Sequence, residues 1–289
     1  MNDPLIANYQ KLLFPYAYNI LGSVDDALDI IQDVIVKFTQ LDKRSIENPK
    51  SYLIKMVINQ SLNFTKLIRR KKENYIGPWL PEPVDAENGL IDPVDKEKIV
   101  YYSLMVLLEK MKSKERAVFI LKEVFDYSHQ EIAELLGTST ENSRQLFKRA
   151  RSKIVQPENQ KEQISSENKF IAAFQNALEQ KNFQLIEDLL LEDVKLKSDG
   201  GGKVSAARKI ICGKESVFKF IQGIIQKFYA GINFRLVNVN RQKGIALVYE
   251  NQIINLILFE FKDDMIQNVY MIRNPEKLKD IDIRMEHLL

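Results

Sequence analysis

Arg144, Gln145, Lys148 and Arg149 recur at intervals that gather them on one side of an α-helix, and Arg151 and Lys153 follow directly. A face of guanidinium, amide and ammonium groups offers no nucleophile and no metal-ligand set. It donates hydrogen bonds and neutralises phosphate, and a guanidinium fork matches the acceptor pair on a guanine edge. The residues around this face predict how it is held. Ser128 and Glu131 have the spacing of a capping box, Tyr127 and Ile132 that of a hydrophobic staple, and Gly137 ends the helix they start. Ser139 or Thr140 caps a second helix after a tight corner, so Tyr127–Ile154 is predicted to be a helix-turn-helix. Ser143, Phe147, Ala150 and Ile154 fall on the inward side of that second helix and leave the basic face to enter a major groove. His129, in the first turn, reads as a surface residue rather than a catalyst or ligand. No metal-ligand spacing, GxSxG or GxxxxGK[ST] accompanies it, so no enzyme is predicted in this half.

The elements that carry this face belong to a chain of 289 residues, 45% hydrophobic and 28% charged, the composition of a folded protein with several packed units. Apolar runs such as Ile253–Phe261 are broken by Asn255 and Glu260, so no membrane span is expected, and the N-terminus lacks the pattern of a secretory signal. One cysteine, Cys212, permits no intrachain disulfide and points to the reducing cytoplasm. A net charge of +3 names no partner, but Lys66, Arg69, Arg70, Lys71 and Lys72 form one basic cluster and Lys148, Arg149, Arg151 and Lys153 another.

From about residue 5 to 155 the periodicity predicts helices only, with Asn48 and Pro49 starting one that runs to about Lys72. Four prolines and two glycines between Tyr75 and Asp95 predict an extended linker, and a helical unit resumes near Lys98 and ends near Ile154. Gln156–Ser166 reads as a second linker. Helices are then expected near Glu167–Lys181, Phe183–Leu191 and Glu215–Tyr229, with the loop DGGGK (Asp199–Lys203) among them. An antiparallel meander follows over Asn233–Asn240, Gly244–Glu250, Ile253–Phe261 and Met265–Ile272. Asp199, beside three glycines, reads as a turn former. The glycines let backbone approach another surface closely, with Lys203 as a charged contact, and Trp79 reads as an aromatic anchor among prolines or a buried spacer.

Three stretches, ALDIIQDVIVKF (Ala27–Phe38), NPKSYLIKMVINQSLNFTKLIRRKK (Asn48–Lys72) and the helix-turn-helix after SKERAVFIL (Ser113–Leu121), resemble regions 2 and 4 of extracytoplasmic-function sigma factors of the sigma-70 family. YIGPWLPEP (Tyr75–Pro83), DGGGK and NPEKL (Asn274–Leu278) resemble the subgroup whose sigma regions are fused to a SnoaL-like domain. The resemblance implies a multidomain fold. Two all-α sigma domains, over 5–74 and 98–155, are joined by a linker at 75–97 and followed, after a linker at 156–166, by an α+β cone-shaped barrel over 167–289.

It also implies partners: core RNA polymerase, through its β′ clamp and β flap, and promoter DNA. Asp29, Gln32 and Asp33 would meet the clamp. Asn59, Asn63, Lys66, Arg69, Arg70 and Lys71 would melt and read the −10 element, where opened strands call for amide groups at bases and cations at backbone. Ser139, Asn142, Arg144, Gln145, Lys148, Arg149 and Arg151 would serve the −35 element, Arg144 or Lys148 at guanine edges and Arg149 and Arg151 at phosphate. In the subgroup the fused domain tunes polymerase binding, which implies interdomain roles for Trp79, Asp199, Gly200, Gly201, Gly202, Lys203, Asn274, Pro275 and Lys277. SnoaL-like folds enclose an apolar pocket, so a small ligand there is a further expected partner, and no catalysis or cofactor is expected. Leu28 stands where the family carries an acidic residue, and Ser143 where it carries a β-branched apolar one. The rival reading is a one-component regulator that binds an operator and senses a ligand in the pocket.

Overall fold

A computed structural model describes residues 4–42, 46–85, 89–154, 160–228 and 231–281. The chain forms two compact units, one of residues 1–73 and 86–155, the other of residues 74–85 and 156–289. The proline-rich segment at 74–85 thus belongs to the second unit although its neighbours on both sides in sequence belong to the first.

Among the described residues the regular elements of the first unit are all helices. α1 (Pro4–Leu21), α2 (Val24–Thr39) and α3 (Pro49–Glu73) form one bundle around Leu13, Phe14, Tyr18, Ile31, Val34, Leu53 and Val57. Local chemistry starts two of them. The Ser23 hydroxyl accepts from the amide of Asp26 at 3.3 Å, and the Asn48 Oδ1 accepts from that of Ser51 at 3.0 Å. A 3-10 turn at Pro93–Lys98 leads into α4 (Tyr102–Leu108), α5 (Ser113–Glu123), α6 (His129–Leu136) and α7 (Thr140–Arg151).

In the second unit α8 (Gln160–Glu179), α9 (Phe183–Asp188) and α10 (Lys214–Phe228) cover one face of a six-stranded sheet: β1 (Leu190–Asp199), β2 (Ile211–Cys212), β3 (Asn233–Val239), β4 (Gln242–Tyr249), β5 (Gln252–Lys262) and β6 (Met265–Ile272), in the order β2-β1-β6-β5-β4-β3. The last four strands are the expected meander, but β1 lies parallel to β6, so the sheet is mixed rather than antiparallel throughout. The helix expected to reach Leu191 stops at Asp188. Val194 and Leu196 are buried while Asp193 and Lys195 are exposed, which is strand rather than helix spacing. Their partners on the core face are Ile245, Leu247, Ile257, Phe259, Val269 and Met271, against Phe174, Leu178, Val217 and Ile221 of the helices. Phe174 meets Phe259 edge-on with ring centroids 4.9 Å apart. The linker expected at 156–166 is shortened by α8, which begins at Gln160.

Candidate nucleic-acid interface and linker clasp

The helix-turn-helix follows from its local signals. Ser128 and Glu131 form the reciprocal capping box at the start of α6, and Gly137 ends the helix in the left-handed conformation at φ 59°. Ser139 then caps α7, its hydroxyl accepting from the amide of Asn142 at 3.1 Å, while the Asn142 side chain donates to Thr138 at 2.6 Å. These two side chains therefore shape the turn. Arg144, Gln145, Lys148, Arg149 and Arg151 are all exposed, and only Ser143 and Ala150 of α7 are buried. Arg144 reaches Glu141 at 3.5 Å across an exposed turn, a pair too solvated to hold it.

The polar residue in the inward row has a partner. His129, expected at the surface, is half-buried, and its Nδ1 lies 2.9 Å from the Oγ of fully buried Ser143. Its ring meets Phe147 edge-on at 5.5 Å. Burial, and then the cations of Lys122 and Arg144, hold the imidazole below its ordinary pKa.

Asp29, Gln32 and Asp33 lie exposed on α2. Asn63 and Lys66 are exposed on α3, with the ammonium 3.3 Å from the amide oxygen, whereas the side chains of Arg69, Arg70 and Lys71 lie outside the described residues. Asn59 is placed differently. Its amide donates to its own helix at the Lys55 carbonyl (2.9 Å) and across to the Leu135 carbonyl of α6 (3.1 Å).

That second bond belongs to a seam along which the α1–α3 bundle packs on the helices after residue 98. Fully buried Asn19 donates to the Lys98 carbonyl at 2.7 Å and accepts from the amide of Val100 at 3.3 Å. Its own carbonyl takes the Arg116 Nε at 2.8 Å. Arg116 also pairs with Glu109, which receives Lys72 of α3 as well. Tyr16 stacks on Phe125 at 3.8 Å, and its hydroxyl lies 3.3 Å from that of Tyr127. Nothing in the local pattern of residues 16, 19, 109 or 116 foretold this network. Its members are drawn from helices about a hundred positions apart.

In the second unit the three expected motifs converge on one carboxylate. Asp199, read as a turn former, is fully buried at the end of β1 and collects four donors. Tyr75 Oη (2.6 Å) and the Gly201 amide (3.0 Å) donate to Oδ1; the Leu80 amide (2.9 Å) and Lys277 Nζ (2.7 Å) donate to Oδ2. The Gly201 bond is the local one that a turn-forming aspartate makes, and the other three come from distant parts of the chain. Lys277 also donates to the Leu80 carbonyl, and its ammonium lies 4.3 Å from the Trp79 ring and 5.2 Å from that of Tyr75. Asn274 donates to Tyr75 Oη at 3.1 Å and caps the turn that Pro275 begins. Burial, and next the bond to Asp199, raise the Tyr75 pKa far above the ordinary phenol value, so it stays a donor.

The glycines of DGGGK are required by proximity. A Cβ on Gly201 would stand 2.5 Å from Asn274, one on Gly202 2.8 Å from Ile76, and one on Gly200 2.4 Å from the Val204 carbonyl. Lys203 pairs with Glu276 at the surface. Farther along, the Val84 amide and carbonyl bond the side chain and amide of Asn240, both at 2.8 Å, so the segment is held at both ends.

Two family models fit these helices: "Sigma-70 region 2" matches residues 5–73 and "Sigma-70, region 4" matches residues 101–154. The chain belongs to the extracytoplasmic-function branch of the sigma-70 family and is an alternative sigma factor, which directs core RNA polymerase to promoters for transcription initiation. It is 29% identical over 283 residues to "ECF RNA polymerase sigma factor SigJ" of Mycobacterium tuberculosis, covering 92% of this chain and 89% of that protein. The crystal structure of that sigma factor superposes with a TM-score of 0.76 at 26% identity, over 97% of this chain and 99% of the other. "Probable ECF RNA polymerase sigma factor SigI" of the same organism is 29% identical over 161 residues, 53% of this chain and 55% of that protein. A match in region 2 disfavours the one-component regulator, which has no need of it. No helix among the described residues is long and apolar enough to cross a membrane.

Proposed function

We propose that the C-terminal domain tunes initiation by gripping the tether between the two sigma regions. The observation that carries this reading is the Asp199 clasp, which fixes Tyr75 and Leu80 of the linker with four donors on one buried carboxylate. A gripped tether limits how regions 2 and 4 move apart, and they must separate to engage two promoter elements at once. The clasp thereby favours the packed form, in which Asn59 is turned to Leu135. This grip, rather than a ligand inside the domain, is the mode of control that the geometry supports.

Within this scheme α7 reads the −35 element, with Arg144 or Lys148 at base edges, Gln145 beside them, and Arg149 and Arg151 on phosphate. Ser139 and Asn142 shape the turn that presents it. The face of α3 with Asn59, Asn63, Lys66, Arg69, Arg70 and Lys71 opens and reads the −10 element. Asp29, Gln32 and Asp33 dock on the β′ clamp, and region 4 on the β flap. Functional boundaries at 5–74, 75–97, 98–155, 156–166 and 167–289 follow these roles.

Run-off transcription with core polymerase tests the grip. Tyr75→Phe, which removes one donor and keeps the ring, and a truncation before Asn274 are expected to raise output by weakening the packed form. Deletion from residue 165 is expected to lower it, because the domain also supports the open arrangement. Unchanged output in all three would make the domain a passenger. Arg144→Ala or Lys148→Ala should cost about 1–3 kcal/mol of promoter affinity where the contact is bidentate.

A further inference from the structure

The seam between α7 and the rest of region 4 contains a polar contact that neither DNA contact nor catalysis explains. Ser143 and Ala150 are the buried residues of α7, and Ser143 has no exposed surface at all. A buried hydroxyl needs a hydrogen-bond partner, and this one has His129 Nδ1 at 2.9 Å. The imidazole is clamped in turn, edge-on to Phe147, whose ring stacks on Phe119 of α5 with centroids 6.3 Å apart.

An apolar seam is not directional, so a helix packed through it can turn about its axis while still burying its small residues. A hydrogen bond weakens steeply once its angle is lost. The contact therefore selects one rotation of α7. Arg144 follows Ser143 directly, and Gln145 and Lys148 lie within the next turn, so that rotation decides which of them faces a base edge.

We propose that His129 is a positioning residue for promoter recognition, setting the rotation of the recognition helix through its hydrogen bond to Ser143. The inference rests on the reading of α7 as the −35 helix and deepens it. The ring Nδ1 and the Ser143 hydroxyl share one hydrogen bond of 2.9 Å. Burial, and then the cations of Lys122 from α5 and Arg144 from α7, lower its pKa.

The test uses the full chain. Its affinity is measured for a promoter duplex that it transcribes and for the same duplex with the −35 segment scrambled, alongside each variant's melting temperature. His129→Leu and Ser143→Val should each lower the ratio of the two affinities about tenfold, the scale of one buried hydrogen bond left half-made. The double variant, with an apolar seam throughout, should regain melting temperature but not discrimination. His129→Asn should keep discrimination, because its amide stands where Nδ1 stood. If the double variant regains both, or if the single variants discriminate like wild type, the pair is only packing and the inference fails. A wild type that binds both duplexes alike would overturn the reading of α7 itself, and the inference with it.

Discussion

Glu109 and Asp199 both receive cations from distant parts of the chain, but their settings differ. Glu109 sits in the seam between regions 2 and 4 with its side chain 19% exposed, beside Lys72 at 24%. Burial works against its charge, yet Arg116 and Lys72 outweigh that and hold its carboxyl below the usual range. Asp199 has no exposed surface, its four donors include two backbone amides, and its Lys277 partner is 11% exposed. Water can replace Lys72 at the first site as it leaves, though Arg116 there is only 6% exposed; at the second site water has no such access, so removing any partner strands a buried polar group. One cluster is suited to a contact that opens during function, the other to one that persists through it.

The most severe way to break this contrast is Asp199→Ala. It leaves the buried Leu80 amide without its acceptor and the Lys277 ammonium without its counter-charge, and is expected to cost about 3–5 kcal/mol in denaturant unfolding. A cost below 1 kcal/mol would mean that the clasp is solvated after all. Asn19→Ala comes next: it strips partners from the Lys98 carbonyl and the Val100 amide, an expected loss of about 1–3 kcal/mol. The variant should also expand in solution scattering, since the loss falls on the seam. A fixed radius of gyration would place the hold between the two regions elsewhere.

Acid should act on the seam in the same sense. The folded-state pKa of Glu109 is depressed, so its contribution is present above the ordinary glutamate pKa and is lost as pH falls through the lower folded value. Packing of region 2 on region 4 should therefore weaken below about pH 4, which domain-to-domain energy transfer would follow, and Glu109→Gln should flatten that part of the profile. The smallest effect is expected at Lys203→Ala. Its pair with Glu276 is solvent-exposed at both ends, so although it borders Asp199 its loss should leave stability within about 0.5 kcal/mol of wild type. A larger change would extend the clasp to the surface.

The helix-turn-helix was legible residue by residue because its signals act within one turn: a capping box joins positions three apart, and the left-handed Gly137 needs no distant partner. The meander was legible for a related reason, as alternation and tight turns join neighbours in sequence. The strand β1 escaped because its parallel partner β6 lies some seventy positions on, and parallel pairing leaves no mark in the intervening turns. The partner of His129 escaped because the hydroxyl that holds its part-buried ring stands across the turn.

By itself, the sequence determined the helices, their caps, the basic faces and the family to which they belong, since each depends on residue types at short fixed spacings. Only the tertiary structure decided that Asp199 is a hub as well as a turn former, that Asn59 bonds region 4, and that residues 74–85 of the linker belong to the C-terminal unit. The donors to one buried carboxylate come from residues 75, 80, 201 and 277, and no local pattern records which distant groups will share a desolvated charge.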